Sequence, residues 1–166
     1  MAFLNMRGWC IGLALAMVPL SAFAGFAEEE VNCLALNIYH EARGEPRIGQ
    51  LAVAYVTMNR VVSDRYPNTV CGVVWQRHQF SWTHDGRSDR PREQRAWQRA
   101  LAIAQHIYSN YHVFRAIANG ATDITQGALY YYAPKHVYPQ WAAHKETTAQ
   151  IGSHVFLRDK DEKGLN

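Results

Sequence analysis

Only three cysteines occur in these 166 residues, and nowhere do Lys and Arg gather into a basic block. The second absence removes the usual mark of a nucleic-acid binder. Eight histidines are present, but none forms a close pair backed by Cys or Asp at metal-ligand spacing. His40-Glu41 is followed at position 44 by Gly44 rather than a second His, so the zinc-protease helix pattern is missing as well. There is no Gly-x-Ser-x-Gly elbow for an activated serine and no glycine-rich phosphate loop after a strand. Internal repeats and low-complexity tracts are absent too. No metal and no cofactor is expected.

What is present begins with an export signal. Arg7 precedes the apolar run Trp9–Leu20, and Ala22-Phe23-Ala24 supplies the small-residue pattern of a cleavage site. The run is short of the ~20 apolar residues that a membrane span needs. The expectation is a signal peptide over 1–24 and one domain over 25–166, with no stable membrane span after cleavage; a retained anchor is the alternative. Cleavage removes Cys10 and leaves Cys33 and Cys71. In an oxidising compartment these two either close a disulfide or stay as small buried thiols. The net charge of +3 is mildly basic and suits an anionic partner such as bacterial cell wall.

Glu28, Glu29 and Glu30 read as the acidic approach to a first helix. Within Cys33–Glu45, Leu34, Ile38 and Glu41 stand at i, i+4 and i+7, which places all three on one helix face. A carboxylate thus occupies a position where an apolar residue is expected. Gly44 and Pro46 end the helix just beyond it. The negative helix end and partial desolvation both favour the protonated form, as a general acid requires. The plainer alternative is a half-exposed Glu paired with Arg43 or Arg60.

Ile48, Leu51, Tyr55, Met58 and Val62 predict a second helix over Arg47–Val62, apolar on most sides and therefore central. Thr69 caps a short helix containing Val70, Val73 and Val74. Residues 76–90 have no period and read as a loop, with a short strand at Gln79–Trp82. Pro91 opens the longest helix, whose stripe Trp97, Leu101, Ala104, Tyr108 and Tyr111 is read as core. Asn119-Gly120 marks a turn, and Ala128–Tyr132 and Ser153–Leu157 are β-prone runs suited to pairing. Asp159–Asn166 is polar and expected to fray.

Several flat amphipathic rings fall outside the main helical stripes: Phe80, Trp82, Tyr130, Tyr131, Tyr132, Tyr138 and Trp141. Such rings either stack on sugar faces or fill a small core. A two-carboxylate glycosidase also needs a second acid roughly 5–10 Å from the first. Glu45, Asp85 and Asp89 are the candidates, and none stands out. That gap favours a one-carboxyl mechanism in which the substrate supplies its own nucleophile.

Taken together, EARGE at Glu41–Glu45, GQLAVAYVTMNRV at Gly49–Val61, YPNTVCGVVWQ at Tyr66–Gln76 and QFSW at Gln79–Trp82 resemble the SleB/CwlJ family of cell-wall and spore-cortex hydrolases. GALYY at Gly127–Tyr131, Trp141 and IGSHVF at Ile151–Phe156 are similar to that family's second half. The resemblance implies a mainly helical α+β domain with a small antiparallel sheet, related to lysozyme-like and resuscitation-factor folds. It implies peptidoglycan glycan strands as the partner, with Glu41 as the catalytic acid of a lytic transglycosylase. Phe80, Ser81, Tyr131, His154 and Asn59 are the expected cleft residues; His154 and Asn59 have the alternative of serving the core. A muramidase using Glu45, Asp85 or Asp89, an amidase, and a non-catalytic wall-binding module are the other readings. A monomer in the periplasm or outside the cell is expected.

Overall fold

A computed structural model describes residues 20–118 and 122–160. Within them, helices α1 (Leu20–Ala42), α2 (Arg47–Val61), α3 (Val70–Val74) and α4 (Gln94–Ala118) precede strands β1 (Tyr130–Tyr132), β2 (Lys145–Ile151) and β3 (His154–Asp159). This is the mainly helical α+β architecture that the sequence predicts. The expected leader lies outside the described residues as far as position 19, as does the turn at Asn119-Gly120.

Leu34 and Ile38 of α1 are fully buried, and the helix packs on α4, α2 and α3. The three glutamates do not precede α1 but lie within it. Glu30 is buried, and its carboxylate accepts from the Val70 N–H at 2.6 Å and the Cys71 N–H at 3.3 Å. Its charge therefore serves the start of α3, where the orphan N–H groups of a helix need acceptors. Thr69 adds its own cap there, accepting from the Gly72 N–H at 3.0 Å. Cys33 and Cys71 form a disulfide beside this contact, closing the 38-residue separation between α1 and α3.

Helix α2 is the centre of the molecule, buried almost all round from Gly49 to Arg60. Two of its polar residues find partners inside: Thr57 Oγ1 accepts from Asn37 Nδ2 of α1 at 3.0 Å, and Gln50 Nε2 donates to the Glu45 carbonyl at 2.9 Å.

Two helical expectations shift. Helix α4 begins at Gln94 rather than Pro91; the Tyr39 hydroxyl accepts the N–H groups of Arg92 and Glu93, each at 3.1 Å, just ahead of it. Its deepest line is Ala96, Ala100, Ile103, Ala104, Ile107 and Tyr111, while Trp97, Leu101 and Tyr108 flank it half-buried. Small alanines at the seam let α4 approach α1 closely, so the large rings move to the margins. Between the helices, Gln79–Trp82 is no strand. Thr83 N–H and Oγ1 both bond the Phe80 carbonyl, winding Ser81–His84 into a 3-10 turn.

The sheet has strand order β1-β3-β2 and is antiparallel throughout, with Tyr131 opposite Phe156. The expected pairing of the Tyr130 and Phe156 regions is present; β2 was not legible. Its sequence KETTAQI carries little apolar alternation because it is an outer strand with no fully buried residue. A bulge between Thr147 and Ala149 turns Thr148 inward to donate to the Thr125 carbonyl at 2.7 Å. Phe156 packs with Ala52, Val56 and Ala128, which seats the sheet on the back of α2. Asp159 is not frayed: it belongs to β3 and binds Lys145 and Arg65. Residues 161–166 lie outside the described part.

Candidate active site

Helix α1 stops at Ala42, and the Glu45 N–H bonds the Ala42 carbonyl at 2.9 Å before Pro46 leads into α2. This tight corner fixes Glu41 in the last turn, on the side facing α2 and β1. The neighbouring Glu45 turns the other way. Its carboxylate accepts both the N–H and the hydroxyl of Ser153 in the β2–β3 turn. Gly152 makes that approach possible: it has φ +60°, and a Cβ there would lie 2.2 Å from Glu45 Oε2.

Beside Glu41 lies a groove of about 480 Å³. Its walls are Glu41 from α1, Arg60 from α2 and Tyr131 from β1, with His78, Gln79, Phe80, Ser81 and His84 from the segment around the 3-10 turn. The Tyr131 hydroxyl donates to Glu41 Oε2 at 3.1 Å. Burial pushes the Glu41 carboxyl above the usual carboxylate range; the Tyr131 hydrogen bond and the Arg60 charge oppose this without cancelling it. Burial also drives the Tyr131 phenol well above its ordinary value, with the Glu41 charge adding to the effect, so it remains a hydrogen-bond donor. The pair leaves the second carboxyl oxygen available to the groove.

Arg60 is 6% exposed. Its Nε donates to the Leu129 carbonyl at 2.8 Å, and the guanidinium carbon lies 5.4 Å from the Phe80 ring centre and 5.3 Å from that of Tyr66. His78 has φ +65°, a left-handed conformation costly for a side-chain-bearing residue, and its N–H donates to His84 Nε2 at 2.9 Å. This bond holds the two histidines together at the groove's edge.

Glu41, Phe80, Ser81 and Tyr131 are thus brought together as the sequence predicts. Asn59 is not among them, and the expectation that it faces the cleft is corrected. It is 2% exposed and sits behind the groove, donating to Asp123, Thr125 and the Ala128 carbonyl while its Oδ1 accepts from Tyr111 at 2.7 Å. Its amide knots α2 to α4 and to the chain before β1. His154 is also set back, buried edge-on to Tyr131 at 5.4 Å and beside Phe156 at 6.2 Å. Tyr131 is opposite Phe156, so His154, two residues earlier on β3, shares the face of Tyr131 and supports its ring from the neighbouring strand.

Arg60, His78, Gln79 and His84 were not among the expected cleft residues. The aperiodic aromatic segment held the signal for the last three. For Arg60 the sequence offers only the alternative that it pairs with Glu41, and the structure does set its charge beside that carboxyl. Of the candidate second acids, Glu45 is taken by Ser153, while Asp85 and Asp89 line a separate depression with Arg43, Arg87 and Arg90. Among the described residues Glu41 is the only carboxylate in the groove. The aromatic rings divide. Trp82 is buried and stacks on His40 at 4.4 Å, whereas Tyr130, Tyr132, Tyr138 and Trp141 associate on the opposite side of β1 from Tyr131.

Residues 44–157 match the model of a family described as cell wall hydrolase. The spore cortex-lytic enzyme of Bacillus cereus is 33% identical over 134 residues, covering 81% of this chain and 46% of the relative. That of Bacillus subtilis is 33% identical over 132 residues, covering 80% and 38%. The chain therefore spans less than half the length of these curated relatives. Among solved structures, the catalytic domain of the Bacillus cereus SleB protein superposes with a TM-score of 0.60 at 30% identity, covering 89% of this chain and all of that one. The catalytic domain of the germination-specific lytic transglycosylase SleB from Bacillus anthracis does so with a TM-score of 0.60, covering 85% of this chain and all of its own. By sequence and by fold, the chain belongs to the cell wall hydrolase family.

Proposed function

We propose that this chain cleaves the glycan strand of peptidoglycan between N-acetylmuramic acid and N-acetylglucosamine, as a lytic transglycosylase with Glu41 as acid and then base. The observation that carries the reading is a solitary groove carboxyl, among the described residues, whose burial favours the protonated form. Protonated Glu41 gives its proton to the glycosidic oxygen as the bond to the muramoyl C1 breaks. The carboxylate then takes the proton of the muramoyl 6-hydroxyl, whose oxygen bonds to C1 and closes a 1,6-anhydro ring. No water is consumed, and Glu41 ends protonated. Tyr131 holds one carboxyl oxygen throughout, which fixes the direction of the other.

An inverting hydrolase would need a second acid to activate water, and a retaining one would need a carboxylate nucleophile. Neither has a counterpart in the groove among the described residues. Digestion of purified sacculi followed by mass spectrometry tests the reading: anhydro-muramoyl ends support it, and reducing ends or free peptides overturn it. Glu41→Gln should abolish clearing of sacculi, and undiminished clearing by that variant removes Glu41 from the mechanism. Binding of sacculi with no release of muropeptides by the unaltered chain would make it a wall-binding module.

The same reading puts the protein in the periplasm or outside the cell, as a monomer, after cleavage following Ala24. Cleavage there leaves α1 from Gly25, with Glu30 and Cys33 retained. No helix among the described residues is long and apolar enough to cross a membrane. The Cys33–Cys71 disulfide suits an oxidising compartment. The N-terminal mass of the exported protein and its size on gel filtration test these points.

A further inference from the structure

Next to the groove lies a second depression, of about 300 Å³. Glu41 lines the groove, and His40, one residue before it, lines the depression; Ser81 and Trp82 divide in the same way. Arg87, Arg90 and Arg92 all lie on this depression, and all three are exposed. None of their guanidiniums has an ion-pair or hydrogen-bond partner among the described residues. Of the acids beside them, Glu93 is paired with Arg43 at 3.0 Å, and Asp85 accepts the Arg87 N–H at 2.9 Å. The segment that carries them is braced from α1. His40 Nε2 donates to the Asp89 carbonyl at 3.0 Å, and the Tyr39 hydroxyl accepts the Arg92 N–H at 3.1 Å. Like charges are thus gathered within Arg87–Arg92 on a backbone already held in place, an arrangement that repels itself until an anion enters.

We propose that this depression binds the peptide stem of peptidoglycan, with Arg87, Arg90 and Arg92 donating to stem carboxylates. This rests on the reading of the groove as a glycan site. A muramoyl ring beside Glu41 carries its stem on the lactyl group, and an extended peptide advances about 3.3 Å per residue. The second and third stem residues therefore reach ~7–10 Å, while the two linings are offset by one residue, ~3.8 Å between Cα atoms. The planar guanidinium fork matches a carboxylate with two parallel hydrogen bonds. Asp85 and Asp89 share the depression and suit the amine that a diamino stem residue carries beside its carboxylates. A wall polymer of phosphates alone would meet those two acids with like charge, which favours the stem.

Calorimetric titration of the Glu41→Gln chain tests the proposal, since bound fragments are then not expected to turn over. The probes are a muramoyl glycan fragment with intact stems and the same fragment with its stem carboxylates converted to amides. The intact fragment should bind about tenfold more tightly or better, in line with hydrogen bonds between charged groups. Raising the salt concentration should shrink that difference. Adding Arg87→Gln, Arg90→Gln and Arg92→Gln together should erase it and leave the affinity for the amidated fragment unaltered.

Equal affinity for the two fragments overturns the proposal, and so does a difference that survives the loss of the arginines. A poly(glycerol phosphate) chain that binds more tightly than the intact fragment overturns the choice of the stem. Should the arginine variant fail to fold, the Glu41→Gln chain alone decides: at least tenfold discrimination that salt weakens supports the proposal, and indifference overturns it. Affinity for the amidated fragment scores the groove, and the difference between the fragments scores the depression. The products of sacculus digestion, measured with the unaltered chain, judge the mechanism of Glu41 separately.

Discussion

The Tyr131 hydroxyl donates to Glu41 Oε2 across 3.1 Å, joining positions 90 residues apart in the chain. It ties the last turn of α1 to the first strand of the sheet. Burial raises the Glu41 carboxyl, and this hydrogen bond moderates the rise by stabilising the charged form. Activity that needs protonated Glu41 should therefore decline with rising pH along a limb above the ordinary carboxylate value of 4.5. Tyr131→Phe removes the moderating bond, so the limb should move further up in pH while the maximal rate falls about tenfold from lost orientation. A pH–rate profile with an unmoved limb would show that the hydroxyl does not act on Glu41.

Glu45 offers the contrasting case. Burial acts to raise its carboxyl, but the Ser153 hydroxyl and N–H, with His154 and Lys135 nearby, outweigh it and hold the value below 4.5. A carboxyl lowered on folding adds stability above its unfolded pKa, and that stability disappears as pH falls through the folded value. Glu45→Gln should therefore lower the melting temperature at neutral pH, and the gap from the unaltered protein should narrow below pH ~4.5. Its products from sacculi should still carry anhydro ends. Gly152→Ala should be worse for stability, because it combines positive-φ strain with collision against the same carboxylate.

Asn59 should behave as a structural residue. Asn59→Ala removes four hydrogen bonds among α2, Tyr111 and the chain around Asp123–Ala128. The expected cost is about 2–3 kcal/mol of unfolding free energy, since the buried partners are left unsatisfied. Where the variant remains folded, its affinity for glycan fragments should match the unaltered protein; a tenfold loss in calorimetry would return Asn59 to the cleft.

The disulfide should matter for stability and little for chemistry. Closing a 38-residue separation is worth about 4 kcal/mol on the chain-entropy model. Changing both Cys33 and Cys71 to Ser should lower the urea midpoint by a corresponding amount while leaving the product spectrum unaltered. An unchanged midpoint would mean that Glu30 and Thr69 already hold α3 in place.

Much of the frame was legible because helices announce themselves locally. Leu34, Ile38 and Glu41 share a face by spacing alone, and the apolar girth of α2 reports its central position. In α4 the stripe includes Ala104 and Tyr111, which are buried, but Trp97 and Leu101 stand one step aside, since they are more apolar than Ala96 and Ala100 yet too large for the seam. Gln79–Trp82 suggests a short strand because Phe80 and Trp82 alternate with polar residues, a pattern that the 3-10 turn at Ser81–His84 tolerates equally. Strand β2 is silent for the opposite reason: an outer strand with no fully buried residue has no need of apolar alternation.

By itself the sequence determined that a carboxyl group sits on the inner face near the end of α1, that α2 is enclosed, and which two cysteines outlast an expected leader. Periodicity settles such matters because it records which side of an element avoids water. Only the tertiary structure decided that Arg60 and Tyr131 meet Glu41, that Asn59 turns away, and that Ser153 occupies Glu45. Those outcomes depend on where polar side chains find partners 90 or 108 residues distant, and hydrogen bonding between remote segments leaves no period in the chain.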